Sequence, residues 1–263
     1  MVLRRFREHA AKHNWFSVVI DLAIVVIGVF LGMQASNWNE DRLDHNRGEQ
    51  YRQRLIEDLE ANEEDFRQRA VYYRQVHDLG YAALQDLRRP ESADPVAFLL
   101  QSFKAANILP RSTQRATYQE ILSAGAMGLI GDQSVRRRVM TYYAGLDMTD
   151  RLTTTVPSYR ERVRSIMPYE IQQTIQTDCP EEDREDAQGR PDIFLNASCR
   201  PRVDSTAASL AAAQIRSAQG IQLDLTRSII DADQKIMQFQ SMQRSAAELR
   251  GILEAAGSTH GKP

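Results

Sequence analysis

Residues 15–35 read WFSVVIDLAIVVIGVFLGMQA, and the polar positions in this stretch are Ser17, Asp21 and Gln34. At about 1.5 Å per helical residue it spans roughly 31 Å, the thickness of a bilayer's hydrocarbon core. Trp15 and Trp38 flank it, where amphipathic rings prefer the two interfaces. A core helix of this length in a water-soluble protein would carry a polar face, and this stretch has none. A cleaved signal peptide fits the basic residues ahead of it. However, the apolar run is longer than an h-region of about 7–15 residues, and Met33-Gln34-Ala35 is a poor small-x-small cleavage site. The expectation is an uncleaved single-pass transmembrane helix over residues 15–36.

On the N-terminal side, residues 1–14 carry Arg4, Arg5, Arg7 and Lys12 against Glu8. On the other side, residues 36–50 carry Arg42 and Arg47, and Arg52 and Arg54 follow directly. The excess of cations close to the span favours a cytoplasmic N-terminus, a basic tail over 1–14 and the bulk of the chain outside the cytoplasm, with the inner membrane as location. Cys179 and Cys199 are the chain's two cysteines, 20 residues apart in a segment rich in proline and charge. An even pair in such a segment reads as a disulfide formed in an oxidising compartment, and the alternative is two unrelated thiols. Within the span, Asp21, Val25, Gly28, Gly32 and Ala35 step by four and three and so share one face. Gly28-x-x-x-Gly32 lets helix backbones approach closely in lipid. Asp21 either joins a helix–helix contact on that face or extends its carboxylate to the headgroups.

Beyond the span the chain is polar. Of its 263 residues 26% are charged, and the net charge is −2, which excludes a generally basic nucleic-acid binder. From Asn37 to Leu87 there is no proline. Apolar residues at Tyr51, Leu55, Leu59, Phe66, Ala70, Tyr73, Val76, Ala83 and Leu87 have helical spacing. Gly48 interrupts at a cost of about 1 kcal/mol, so the anchor is expected to continue into one long stalk helix. Asp94-Pro95 opens a short helix, a further helix covers about Gln114 to Ala124, and Asp132 caps one that runs toward Thr155. Pro157 starts another helical stretch, which Pro168 ends or kinks. Residues 177–203 hold Pro180, Pro191 and Pro201 and are expected to be irregular.

The tract from Asp204 to Ala256 is again free of proline. Its apolar positions Ala218, Ile221, Leu225, Ile229, Ala232, Ile236, Phe239, Met242, Ala246, Leu249, Leu253 and Ala256 alternate steps of three and four almost throughout, the 3.5-residue period of a coiled-coil seam. The stalk is the partner of matching length, and an antiparallel pairing returns the C-terminus toward the membrane. The expected fold is all-α: an up-and-down helical bundle over 37–256 on a membrane anchor, with a flexible tail over 257–263.

Two blocks resemble a known family. Asp21-x6-Gly28-x5-Gln34-x2-Asn37-Trp38-Asn39-Glu40 is similar to the anchor end of the DUF6090-like group, bacterial single-pass membrane proteins with no assigned activity. Thr117-Tyr118-x-Glu120-Ile121-x-Ser123-x-Gly125, then Leu129-Ile130 and Tyr142-Tyr143, resembles the same group. The family pattern has Glu where this chain has Asp21. The resemblance implies topology and helical content, and it implies no mechanism.

The chemistry-bearing residues form no recognisable catalytic pattern. His9, His13, His45, His77 and His260 leave the bundle centre without a histidine base. His9 and His13 are i,i+4 with no third ligand nearby. Dinucleotide, P-loop and nucleophile-elbow motifs are absent. Asp224, Asp231 and Asp233 lack the glycine and closing glutamate of a calcium loop and are expected to face water. Glu57, Asp58, Glu60, Glu63, Glu64 and Asp65 read as a solvated face paired to Arg52, Arg54, Arg67 and Arg69 along the helix. Arg136-Arg137-Arg138 reads as solvated, and Tyr118, Tyr142 and Tyr143 as core aromatics. No cofactor or metal and no nucleic acid is expected. The expected partners are the lipid bilayer and a second copy or another membrane protein at the anchor. The expected function is a non-enzymatic binding or scaffold role in the cell envelope. One alternative is a sensor that holds a small ligand between helices near Tyr118 and Tyr142. The other is an enzyme built on the 57–65 carboxylates with raised pKa values.

Overall fold

The computed structural model describes the backbone of residues 15–260, with side chains described except at 15–18, 152 and 258–260. The expected basic tail over 1–14, with His9 and His13, and residues 261–263 lie outside it. Eight α-helices follow in order: α1 (Trp15–Arg88), α2 (Pro95–Lys104), α3 (Ala116–Ser123), α4 (Gln133–Thr154), α5 (Ser158–Ile166), α6 (Tyr169–Asp178), α7 (Ser205–Ser217) and α8 (Ile221–His260). A 3-10 turn, Ala126–Leu129, lies between α3 and α4. Strands β1 (Glu181–Glu185) and β2 (Pro191–Leu195) lie between α6 and α7.

The apolar span and the stalk are one helix, α1. Its first part is bare: eleven large apolar side chains from Val19 to Met33 are exposed, and none of its most apolar 18-residue window is buried. Burial begins at Gly48, so about 20 Å of exposed polar helix separates Ala35 from the bundle. From Leu55 onward α1 is the central core helix, packed antiparallel on α8. Phe66 stacks on Phe239 with centroids 6.2 Å apart, and the Arg52 guanidinium reaches the Leu253 carbonyl at 3.1 Å near the other end. In the α8 seam Ile221, Leu225, Phe239, Ala246, Leu249 and Leu253 are buried.

Two hydrophobic clusters stack along these helices. The anchor-side cluster joins α1 from Leu55 to Leu79 with Ile121 of α3, Val135 to Leu146 of α4 and the C-terminal half of α8. The distal cluster joins Ala83 and Leu84 with α2, α5, α6, α7 and the start of α8. Asp94 and Asp132 cap α2 and α4, accepting from Val96 N (3.1 Å) and Val135 N (2.9 Å).

Four features depart from the sequence expectation. The segment 177–203 is not wholly irregular, and the fold is not purely helical, because an antiparallel hairpin pairs Glu181 with Leu195 and Glu185 with Pro191. Its turn is held by Asp186, whose carboxylate accepts from Gln188 N (2.8 Å) and Arg190 N (2.9 Å), with Gly189 at φ +75°. The open edge of β2 is covered by α1, where the Gln75 amide donates to Ile193 O and accepts from Leu195 N, both at 2.8 Å. Second, the proline-free tract from Asp204 is two helices, broken at Gly220 (φ +80°). Third, α8 continues through 257 to His260, where a flexible tail was expected.

Fourth, Gly48 is a packing requirement. A Cβ built there lies 2.7 Å from the Leu129 carbonyl oxygen, backbone of the turn before α4. If helix propensity governed, Gly48→Ala would stabilise the chain by about 1 kcal/mol. Overpacking against backbone instead predicts a loss of about 1–3 kcal/mol. Thermal unfolding followed by circular dichroism decides between the two, and a raised midpoint in Gly48→Ala rejects the close approach.

Candidate functional site

On the expected anchor face, Gly28 and Gly32 have no atom within 4 Å of a built Cβ, and Asp21 is exposed, so no described residue covers the face. Cys179 and Cys199 are joined as a disulfide with Cα atoms 5.8 Å apart. On the chain-entropy model this closure constrains the unfolded state by about 3 kcal/mol. Cys179 is buried in the distal cluster at the end of α6, so the bond fixes where Pro180 and Glu181 enter the hairpin. Asp178 reinforces that corner. Hydrogen bonds from the Arg202 side chain and backbone hold its carboxyl down at about 2.

The acidic run 57–65 is not a simple solvated face. Within the helix Glu64 pairs with Arg67 at 2.7 Å. Across elements, Asp58 accepts from Thr117 N at 3.2 Å at the start of α3, and Glu63 takes Arg250 of α8 at 2.7 Å. The hydrogen bond from Arg67 holds the Glu64 carboxyl below its ordinary range, the reverse of what a general acid needs. Asp224 does not face water as expected. It is buried and pairs with Arg162 of α5. Arg138 reaches Glu248 at 2.9 Å on the surface, and Arg136 donates to Gly131 O at 2.8 Å. Tyr118 lies flat on Tyr143 with centroids 4.1 Å apart, and Tyr142 meets Tyr143 edge-on at 5.1 Å, so these rings fill space. Among the described residues no group of three or more His, Cys, Asp or Glu side chains could hold a metal ion.

Two polar clusters emerge that no motif announces. The first is an ionic layer inside the anchor-side cluster. Arg69, fully buried, lies 5.8 Å from the Phe66 centroid and 5.7 Å from that of Phe239. Its Nη2 is 2.7 Å from Asp65 Oδ2, though poorly aligned for a hydrogen bond, and its Nη1 is 3.9 Å from Asp150 Oδ1. Arg111 lies 3.6 Å from Asp65, and Arg115 bridges Asp147 (2.5 Å) and Asp150. Beside them buried Asn62 treats Gln114 as a strand neighbour, donating to its carbonyl at 2.9 Å and accepting from its N–H at 2.7 Å. The layer ties the extended segment before α3 to α1 and α4.

The second cluster surrounds a cavity of about 270 Å³ between α2, α5 and the start of the hairpin, lined by Phe103, Lys104, Asn107, Arg160, Arg164 and Glu181 among others. Lys104 is 3% exposed. Arg160 and Arg164 are one helical turn apart. Arg160 donates to Ala106 O at 2.6 Å, and Arg164 donates to Asn107 Oδ1 at 3.1 Å while lying 4.5 Å from the Phe103 centroid. The facing carboxylate, Glu181, accepts from Tyr72 OH (3.0 Å) and Asn107 Nδ2 (2.8 Å). Burial lowers the pKa values of Lys104 and Arg160. Burial, then repulsion from Arg160, brings Arg164 to about 10, still charged at neutral pH. No single stretch of sequence pointed to this cavity. Its one local signal is Arg160 and Arg164 at i,i+4, and Lys104 joins them from 56 residues away.

Comparison with protein-family models, curated proteins and solved structures finds no match for the chain.

Proposed function

We propose that this chain is a single-pass protein of the bacterial inner membrane. In this reading its helical domain stands outside the cytoplasm and acts by binding, as a scaffold or receptor component of the cell envelope, rather than by catalysis. The observation that carries this reading is α1. Its first part is an apolar rod that no described residue covers, and its remainder is the central helix of the core. Eleven exposed large apolar side chains, at about 1.5–3 kcal/mol each, represent roughly 15–30 kcal/mol of unfavourable hydration. A bilayer relieves that cost over a matching length. The cations before the span and the Cys179–Cys199 bond both support an extracytoplasmic bundle. Kinship with the DUF6090-like group, carried by the Asp21-to-Glu40 block, belongs to the same proposal. The Gly28/Gly32 face would take a second copy of the anchor or another membrane helix.

The test is fractionation of lysed cells without detergent, followed by protease added to spheroplasts. The chain is expected to sediment with membranes and its bundle to be digested from outside. Leu at both Gly28 and Gly32 is expected to abolish anchor self-association in a membrane reporter without releasing the chain. A chain left in the supernatant, or a bundle protected in intact spheroplasts, rejects the reading.

A further inference from the structure

We infer that the cavity between α2, α5 and the hairpin is a binding site for a small dissolved oxyanion with two negative charges, of the phosphate, sulfate or short dicarboxylate class. The charge balance on its walls points there. Lys104, Arg160 and Arg164 supply three cations, and Glu181 is the one carboxylate in the lining, an excess of two positive charges. The next acid along, Glu182, is engaged by Arg184 at 2.6 Å. Lys104 is nearly completely buried, lines the cavity and makes no ion pair or hydrogen bond among the described residues. The Arg164 Nε is likewise buried with no hydrogen-bond partner there. Cationic donors held at low exposure without a partner cost free energy, so a cavity lined by unpaired Lys104 and by Arg164, whose Nε is unsatisfied, is completed by an anion. The lowered pKa values of all three cations agree with this deficit.

The scaffold holding the donors is rigid. Arg164 is braced by the Phe103 ring and Asn107, Arg160 by the Ala106 carbonyl, and the floor at Pro180 and Glu181 is fixed by the disulfide. A volume of about 270 Å³ exceeds a water's roughly 30 Å³ many times over, and it lies just under the roughly 300 Å³ at which pockets for drug-sized molecules begin. A compact anion fits in this space. Glu181 is anchored to Tyr72, which lies 37 residues along α1 from Ala35, about 55 Å of helix. Lipid headgroups at the anchor cannot reach that height, and this choice of a dissolved anion over a lipid rests on the anchor reading.

The test uses the full chain in non-ionic detergent, with sodium phosphate, sulfate or succinate titrated against sodium chloride at matched ionic strength and thermal unfolding as readout. At least one of the three is expected to raise the midpoint saturably, by about 5–10 °C at a hundredfold excess over its Kd. Lys104→Gln is expected to weaken that anion about tenfold or more. Glu181→Gln keeps the oxygen that accepts from Tyr72 and Asn107 but removes the competing charge, and it is expected to tighten binding about tenfold. The opposite signs keep the proposal testable if Lys104→Gln fails to fold. The proposal is overturned if no anion exceeds chloride, if Glu181→Gln leaves affinity unchanged, or if a folded Lys104→Gln does so. It is also overturned if nanodiscs containing phosphatidylglycerol, compared with pure phosphatidylcholine, give the Lys104-dependent shift without added salt anion. None of these readouts depends on whether the chain sediments with membranes.

Discussion

Arg69→Ala is expected to destabilise the bundle by about 3–5 kcal/mol, seen as a fall in thermal midpoint of roughly 6–20 °C for a domain of this size. The loss has two parts. Truncation empties the space beside the stacked Phe66 and Phe239 rings, where the guanidinium sits fully buried, and removes both cation–ring contacts. It also takes one cation from a layer in which Asp65 and Asp150 share Arg69, Arg111 and Arg115. The carboxylates are not left alone, since Arg111 and Arg115 remain, so the packing loss dominates. Arg69→Met separates the two parts: it keeps most of the volume and drops the charge, and it is expected to recover more than half of the deficit. Melting of the full chain in detergent, followed by circular dichroism, supplies the measurement. A midpoint for Arg69→Ala within about 1 kcal/mol of the parent chain would show that the ionic layer is peripheral to folding.

That layer was partly legible in the sequence. Arg69 lies three residues after Phe66 and four before Tyr73, so it shares a helical stripe with two core aromatics. The charge assigned it instead to a solvated face. What the sequence carries well is periodic: the 3.5-residue seam from Ile221 to Leu253, its partner stripe on α1, and the caps at Asp94 and Asp132. These are local patterns repeated often enough to outvote single residues. What it hides is pairwise and distant. The strand Glu181–Glu185 is all charge with no alternation, and it exists because Leu195 of its partner is buried and Gln75 covers the far edge. Gly48 looked like a tolerated glycine because its reason, the Leu129 carbonyl, lies 81 residues downstream. The cationic cavity has the same character. Lys104 in isolation is an ordinary lysine at a helix end, and its burial depends on α5 and the hairpin closing over it.

The apolar span and the bundle share one helix but, among the described residues, no side-chain packing, and with the span read as a membrane anchor this predicts a clean separation of two properties. Ile24→Arg combined with Ile27→Arg places two guanidinium groups near the middle of the span, at about 2.5–3.5 kcal/mol each on the insertion scale. Eleven large apolar residues at roughly −0.3 to −0.6 kcal/mol each supply about −3 to −7 kcal/mol, so the two substitutions cancel most or all of the insertion free energy. The double variant is expected to move from the membrane pellet to the detergent-free supernatant, free or aggregated, or to be cleared by proteolysis. Both side chains are exposed along a bare rod, and the first buried position among the described side chains of α1 is Gly48, about 30 Å further along. The bundle's unfolding midpoint in detergent should therefore stay within about 0.5 kcal/mol of the parent chain. A variant that still sediments as an integral protein would remove the case for a spanning helix. A bundle that melts early would mean that Val19–Met33 packs on the domain and belongs to its core. Retained folding with lost membrane attachment is the combination that a rod standing clear of its own domain requires.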